Sequence, residues 1–348
     1  MRASWMVQAT MNEPLDLLVA FVSHYLDMGA DLIHIYLDQP HPEAEALLRG
    51  HPKVRLTRCD AAYWARVSPK GRPMGHPARQ MANSKHEYAQ IQHDWMLMCD
   101  ADEYVVMKQD LGEYLAAVPA RIDFVRVKVA EKVLPPGMIP QTIFEGTFRL
   151  PSTKGIALAT EIYGAEVAPY LERVVAGHEN CKSIVRRGGD FTMNIHNPMR
   201  RKPGPKDSVP PPTPVGQWLP DAYLAHFDAL TPLHYLIKLL GKYVGKRNME
   251  RAGRTAGPRH PSRELQIELA VAACAGPDPV SKTDILHRLT PETMAVMKKH
   301  NLLVDLDLAP DQIAGKHFPG VPLDFTPEAV DRSLRIKHAV ILDEMGIL

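Results

Sequence analysis

The sequence is short of cysteine: it has four in 348 residues, Cys59, Cys99, Cys181 and Cys274, widely spaced and with no CxxC pair. That excludes a disulfide scaffold, argues against a zinc site and suits a reducing compartment. Long apolar runs are missing too. Nothing approaches the roughly 18 residues that a bilayer-spanning helix needs. The opening MRASWMVQATMNEP has one early Arg but no apolar leader stretch and no small-residue cleavage site. A cytoplasmic protein is therefore expected. Excess charge is absent as well, with 41 Lys and Arg against 40 Asp and Glu, a formal net charge of +1. Such balance excludes a general polyanion binder and leaves room only for a local basic patch. The best such patch, 238–263, has eight basic residues against one acidic but only Tyr243 among aromatics. It lacks the interleaved rings that stack single-stranded bases, so no nucleic-acid partner is expected, while peripheral membrane contact stays open.

What is present is ordinary globular composition, 45% hydrophobic and 23% charged, in a length that suits one large domain or two ordinary ones. No internal repeat is visible. The first 130 residues alternate strand and helix. Trp5–Ala9 reads as a strand ending at Thr10. Leu15, Leu18, Val22, Tyr25 and Leu26 form a helical stripe behind Pro14 and ahead of Gly29. Residues 32–37 read as a strand stopping at Asp38, 43–49 as a short helix, 54–56 as a strand, 76–93 as a helix and 95–99 as a fourth strand. Ile122–Val129 has the alternation of an edge or half-buried strand. Repeated strand–helix units with apolar strands imply a doubly wound, mostly parallel sheet with helices on both faces. Ligands bind such sheets beyond the carboxyl ends of the strands, where Thr10, Asp38 and Asp100 fall.

After residue 135 the pattern weakens. The stretch 203–214 holds six prolines and reads as a loop or lid. Residues 221–252 and 262–275 read as helices, and 280–348 as short helical pieces. The expected division is an α/β domain over 1–220, which carries the strand-end site, and a helical C-terminal region over 221–348.

The fourth strand ends in an acidic knot, DWMLMCDADEY over 94–104. Two carboxylates two residues apart on a turn, Asp100 and Asp102, can reach one hard cation such as Mn²⁺ or Mg²⁺, which bridges diphosphate oxygens. The cation also offsets charge on a departing diphosphate. The bland alternative is a solvated or helix-starting turn.

This block resembles the D-x-D signature of family-2-like glycosyltransferases of the GT-A fold. Five more stretches agree in order: Asn12-Glu13 after strand one, HYLDMGADLIHIYLDQP over 24–40, Arg79 with Asn83, LERVVAGHENCKSIVR over 171–186 followed by Ile195-His196-Asn197-Pro198, and AHFDALTPLHYLIKLLGK over 225–242. The resemblance covers about residues 5–245. One departure is Asp38-Gln39-Pro40, where the family often carries an Asn or an Asp-Ser pair. The resemblance implies a metal-dependent transferase that moves a hexosyl group from a nucleotide-diphosphate sugar to the hydroxyl of a glycan or lipid-linked acceptor.

On that reading Asp100 and Asp102 hold the metal, with His196, just after a strand expected over Phe191–Ile195, as third ligand and His226 as its competitor; Glu103 would lie behind them. Thr10, Glu13 and Asp38 line the donor site, and Arg79, Asp100 and Lys182 meet the diphosphate, with Arg186 as a further candidate. Capping of the helix by Glu13 and a surface position for Arg79 are the plain alternatives. An inverting transfer needs a carboxylate base. Glu131, Glu145, Glu161 and Asp190 are its candidates, and spacing does not choose between them. A catalytically silent glycan- or partner-binding protein is one rival. A sugar nucleotidyltransferase is another, but the MNEP turn after strand one lacks the Gly-rich basic loop such an enzyme needs.

Overall fold

Apolar strands and half-apolar helices alternate from the first residues, and the chain folds as that alternation dictates. The computed structural model describes residues 1–204, 207, 209–255 and 257–347. It forms two units, one of Met1–Lys128, Asn180–Leu224 and Gln312–Val321, the other of Val129–Glu179, Ala225–Asp311 and Pro322–Leu348.

The first unit begins with β1 (Trp5–Met11), α1 (Leu15–Asp27), β2 (Leu32–Leu37), α2 (Pro42–Leu48) and β3 (Val54–Arg58). It continues through α3 (Ala61–Val67), α4 (His76–Gln90), β4 (Trp95–Met98), β5 (Glu103–Met107) and α5 (Leu111–Ala117). Strand β6 (Phe124–Val133) starts in this unit and ends in the second. Strand β7 (Thr147–Arg149) and helix α6 (Gly155–Val167) belong to the second unit; β8 (Lys182–Arg186), β9 (Phe191–Thr192) and β10 (Met199–Arg200) return to the first. The sheet of the first unit runs in the order β3-β2-β1-β4-β8-β6. Its β1, β2, β3 and β4 are mutually parallel, and β8 is antiparallel to both β4 and β6. The mostly parallel α/β class read from the sequence is therefore the class observed. Helix α4 covers the face bearing Gln8 and Thr10, whereas Tyr25 of α1 bonds Cys99, which points the other way from Met98.

Local chemistry sets the ends of these elements. Gly29 takes φ +83° after α1, with Ala30 N–H bonded to the Tyr25 carbonyl and Gly29 N–H to that of Leu26. That pair of bonds is a Schellman stop, and it explains why glycine stands there.

Strand β11 (Gly216–His226) leads into the second unit, whose helices are α7 (Pro232–Arg251), α8 (Pro261–Ala273), α9 (Pro279–Asp284) and α10 (Pro291–Lys299). Strand β12 (Leu303–Val304) follows, then α11 (Pro310–His317), α12 (Pro327–Lys337) and α13 (Ala339–Glu344). Helix α11 belongs mainly to the first unit. In the second unit β7 pairs antiparallel with the end of β6 and with β12. Its core gathers Leu171, Tyr235, Leu236, Leu240, Ile267 and Leu286 in one cluster and Val133, Leu158, Val174 and Met297 in another.

Three readings need correction. Residues 221–226 are strand rather than helix, because the helix cannot start before its cap: Thr231 accepts from His234 N–H and Pro232 fills the first turn. The strand expected over Phe191–Ile195 stops at Thr192, where it pairs with β10. Strand β1 runs on through Thr10 to Met11. The described residues of the Pro-rich stretch 203–214 carry no helix or strand, and 205, 206 and 208 lie outside the described residues.

One turn of the second unit is strained. Glu172 and Val175 exchange backbone hydrogen bonds of 2.8 and 3.0 Å, while Arg173 and Val174 between them have φ +50° and +80°. Two positive φ values in a two-residue turn is the I′ pattern, which suits Asn and Gly rather than Arg and Val. Val174 is fully buried, so its side chain offsets its own strain; the side chain of the half-exposed Arg173 gains a surface pair with Glu179, which is worth little. Arg173→Asn should therefore stabilise the protein by ~0.5–1 kcal/mol, read as a raised Tm, whereas Val174→Asn should lower it.

Candidate active site at the strand ends

Helix α4 buries Arg79, Gln80, Asn83, Ser84 and Glu87. Their spacing puts them on one helical face, and every one is polar. The sheet meets this face with a polar row. Register sets Gln8 beside His34 and Met98, and Thr10 beside Tyr36. Asn83 Nδ2 donates to Thr10 Oγ1 at 2.8 Å, and Asn83 Oδ1 accepts from the Tyr63 hydroxyl at 2.6 Å. Ser84 Oγ donates to Gln8 Oε1 at 2.6 Å. Glu87 lies 2.8 Å from His34 Nδ1 and accepts from the Tyr36 hydroxyl at 2.6 Å. Burial opposes ionisation of Glu87, but the hydrogen bond and charge of His34 and the Tyr36 hydroxyl outweigh it and hold the carboxyl at about 2.

Asp38, one residue beyond β2 and buried, receives Arg79 in a fork: Nε at 2.7 Å and Nη2 at 2.6 Å. Arg72 Nη2 donates to it at 3.0 Å, and His76 stands 3.7 Å away. Burial would raise the Asp38 carboxyl, yet His76 and Arg79 together hold it well below the usual carboxylate range. Arg79 Nη1 donates to the carbonyls of Pro73 and Met74 as well. Arg79 is thus neither at the surface nor free to turn; it ties the loop before α4 to the end of β2.

The acidic knot is a closed turn. Glu103 N–H bonds the Asp100 carbonyl at 3.1 Å, and Asp100 N–H bonds Glu103 Oε2 at 2.9 Å. Lys182, fully buried at the start of β8, donates to Asp100 Oδ2 at 2.8 Å and lies 3.3 Å from Glu103 Oε2. It also reaches the carbonyl of Ile195, the neighbour of His196, at 3.4 Å. Gln80 Nε2 bonds the other Asp100 oxygen. Burial alone would strip the Lys182 proton, but the charges of Asp100 and Glu103 keep it bound and raise the ammonium above its usual range. Glu103 is fully buried and shapes the turn, whereas the Asp100 side chain keeps 27% of its surface open. Asp100 and Glu103 share one ammonium, and Asp102 adds a further negative charge to the same turn. A divalent cation suits that charge and the oxygen donor set. Among the described residues, Asp100, Asp102 and His196 do not stand within 4.8 Å of one another.

The other candidates have definite places. Thr10 is buried in the polar row; Glu13 Oε2 accepts from Asn12 N–H at 2.6 Å. His196 is half-buried in the loop after β9. Arg186 spends its donors on the carbonyls of Ile122, Val118 and Pro119 and stacks 4.2 Å from the Trp95 ring centre. Asp190 pairs with Arg201, Glu161 with Lys299 and His300, and Glu145 accepts from Gln141 N–H. Sequence reasoning missed Gln8, Arg72, Gln80 and Ser84. The available sign was α4 itself, a helix with polar residues where an apolar stripe was due.

The second unit holds its own buried polar cluster. Glu131 is fully buried, bound in a fork by Arg149 and capped by Ala176 N–H at 2.9 Å and by Gly177 N–H. A Cβ on Gly177 would stand 2.6 Å from that carboxylate, so only glycine fits. His226 stacks on His178 with centroids 4.8 Å apart. Ligand atoms of Glu131, Asp228 and His287 lie within 4.8 Å of one another, a spacing that a metal could use. The charges do not fit one. Arg149 already pairs with Glu131, and Lys238 and Arg263 stand 2.8 and 3.6 Å from Asp228. A dication would add to three cations that outnumber two carboxylates. Within this unit the basic run is likewise ion-paired: Arg247 with Glu344, and Lys246 and Arg259 with Glu264.

No family model matches the chain, and no curated protein matches it. Among solved structures, HddC from Yersinia pseudotuberculosis shares 12% identity at a TM-score of 0.30, over 67% of this chain and 96% of its own. TarS from S. aureus, solved alone and with UDP or UDP-GlcNAc, shares 12% at 0.28 over 77% and 70%. The mannosyltransferase Ktr4p from S. cerevisiae shares 11% at 0.24 over 53% and 56%. At scores of this size the overlap is loose, and function has to be argued from this chain's own residues.

Glu87 supplies a pH test. Its folded value of about 2 lies below the ordinary 4.5. It therefore stabilises the fold above that ordinary value, and the contribution fades as pH falls toward 2. Urea unfolding should show a loss on the order of 2 kcal/mol across that window, and Glu87→Gln should flatten it. Arg79→Leu, which strands the Asp38 carboxylate, should cost about 3 kcal/mol at neutral pH by the same measurement.

Proposed function

We propose that the protein is a metal-dependent glycosyltransferase of GT-A type that moves a sugar from a nucleotide-diphosphate donor to a hydroxyl acceptor. One observation carries the reading: a partly open Asp100 at the mouth of β4, braced by Lys182 and Gln80, in one hydrogen-bonded turn with Asp102. That turn adjoins the polar seam at the ends of parallel strands, the place where this sheet type takes ligands. A divalent cation, Mn²⁺ or Mg²⁺, at Asp100 and Asp102 would offset charge on the departing diphosphate; His196 would join it as third ligand only by a shift of its loop, since the three do not stand within 4.8 Å of one another.

The chain's own residues supply positioning. Lys182 and Gln80 fix the Asp100 carboxylate before any ligand arrives, so its orientation costs nothing on binding. Thr10 and Asn83 offer a hydroxyl and an amide at the strand ends, groups that can bond a base or a ribose. Asp38 is held ionised by Arg79 and stays an acceptor throughout the working pH range. An inverting transfer also needs a carboxylate to take the acceptor's proton. Among the expected bases Glu131 is sealed, whereas Glu145, Glu161 and Asp190 are at least partly open and stay candidates for the role. The acceptor is a glycan or a lipid-linked hydroxyl, and the work is cytoplasmic. Residues 1–220 carry donor binding and catalysis; 221–348 flank them.

Thermal unfolding with UDP, GDP, CDP and dTDP, each with and without Mn²⁺, tests this. One nucleotide should stabilise the wild type only with metal, by ~2.7 kcal/mol at a hundred times its Kd. Asp102→Ala should abolish the effect. If no nucleotide acts under any metal condition, the transferase reading fails and a silent binding protein takes its place. Once the donor is known, Asp190→Asn, Glu161→Gln and Glu145→Gln should separate the base: its loss lowers kcat and leaves nucleotide binding unchanged.

A further inference from the structure

We propose that the cavity between α3 and α4 binds the phosphate group of an organic phosphate, at a site separate from the strand-end turn and independent of the transferase reading. The cavity measures about 390 Å³, lies wholly in the first unit, and is walled by the end of α3, the loop over Ser68 and Pro69, and the outward face of α4. Its charged and titratable wall residues are Arg66, Lys85 and His86, and no carboxylate lines it.

Arg66 and Lys85 meet no counter-charge among the described residues. Among the described residues, the hydrogen bond of Arg66 is to the carbonyl of Ala62 at 3.3 Å, and neither Arg66 nor Lys85 enters an ion pair. His86 makes an edge contact with the Tyr63 ring, centroids 6.0 Å apart. Several other arginines do find carboxylates. Arg49 and Arg58 share Glu45, Arg72 and Arg79 share Asp38, and Arg201 takes both Asp190 and Asp207. In a chain with as many acidic as basic residues, a concave patch of one sign is where an anion gains most.

The shape has a cause in the helix. Ala78, Met81, Ala82 and Lys85 follow i, i+3, i+4, i+7, so one stripe of α4 faces the cavity. Two alanines on that stripe remove the side chains that would fill the hollow, and Lys85 stands at its end. Arg66 supplies a planar fork suited to two phosphate oxygens, Lys85 a point charge, and Ser68 a hydroxyl. Val67 and Met81 provide the apolar wall that an organic substituent would cover. Inorganic phosphate alone lacks that substituent and should bind more weakly.

The test is isothermal titration calorimetry of the full chain with phenyl phosphate and with inorganic phosphate at physiological salt. Flotation with phosphatidylcholine vesicles, with and without phosphatidylglycerol, runs beside it. Saturable binding of phenyl phosphate, tighter than inorganic phosphate and weakened at least ~10-fold by Arg66→Ala/Lys85→Ala, is the expected result. Asp102→Ala should leave it unchanged, which separates this site from the strand-end turn. Ala82→Glu, which sets a carboxylate in the hollow on a residue suited to helix, should abolish it while circular dichroism stays native. Capture only by anionic vesicles, lost in the same variants, would make a lipid headgroup the source of the phosphate and would uphold the site. No saturable binding to any probe, or binding indifferent to both variants, overturns it.

Discussion

The hydrogen-bonded seam between α4 and the sheet is the constraint on which the first unit depends. Most helices settle on sheets through apolar contact, which is tolerant of small shifts. Here Asn83, Ser84 and Glu87 meet Thr10, Gln8, His34 and Tyr36 by directed bonds between buried groups. Each group left without its partner would cost about 1–3 kcal/mol. The helix therefore has one register and one rotation available to it. Arg79 and Gln80, on the same face, are delivered to Asp38 and Asp100 by that single placement. The geometry at the strand ends is inherited from the seam.

The second unit is organised by a comparable anchor, the sealed pair of Glu131 and Arg149 on adjacent strands of the sheet. The strained turn at Arg173 and Val174 feeds it, because the N–H groups just past its closing residue Val175, those of Ala176 and Gly177, close on the Glu131 carboxylate. Removing water from a carboxylate is costly unless every oxygen is met. Two backbone donors and a guanidinium meet these, which explains why an unfavourable turn persists.

The sequence was legible where periodicity speaks. The apolar strands read at 5–9, 32–37 and 95–99, the stripe of α1 and the glycine at its end all follow from spacing and local sterics, and each is found with its ends shifted by at most two residues. The acidic turn was legible from the abrupt change from Met98 and Cys99 to Asp100. The hidden parts have physical reasons. Lys182 lies 82 residues from Asp100, and no local pattern announces a buried ammonium that joins them. Arg79 and Asp38 are each unremarkable alone and become a fork only when the sheet brings them together. The polar face of α4 defeats a reading based on apolar stripes, since its periodicity is written in hydrogen-bonding groups. The helix expected from 221 failed for a smaller reason: the Thr231-Pro232 start was outweighed by apolar residues before it.

Cys99 carries one more consequence. Its thiol is buried, 3.1 Å from the Tyr25 hydroxyl, and burial beside Glu103 pushes it well above the ordinary thiol range. A thiol in that state does not react until the turn at Asp100 opens to solvent. Its rate of alkylation in the native protein is thus a clock for local opening at the acidic turn, distinct from global unfolding. Cys59 and Cys181 are buried as well, and only Cys274 is partly open. The turn comes with its own reporter already in place.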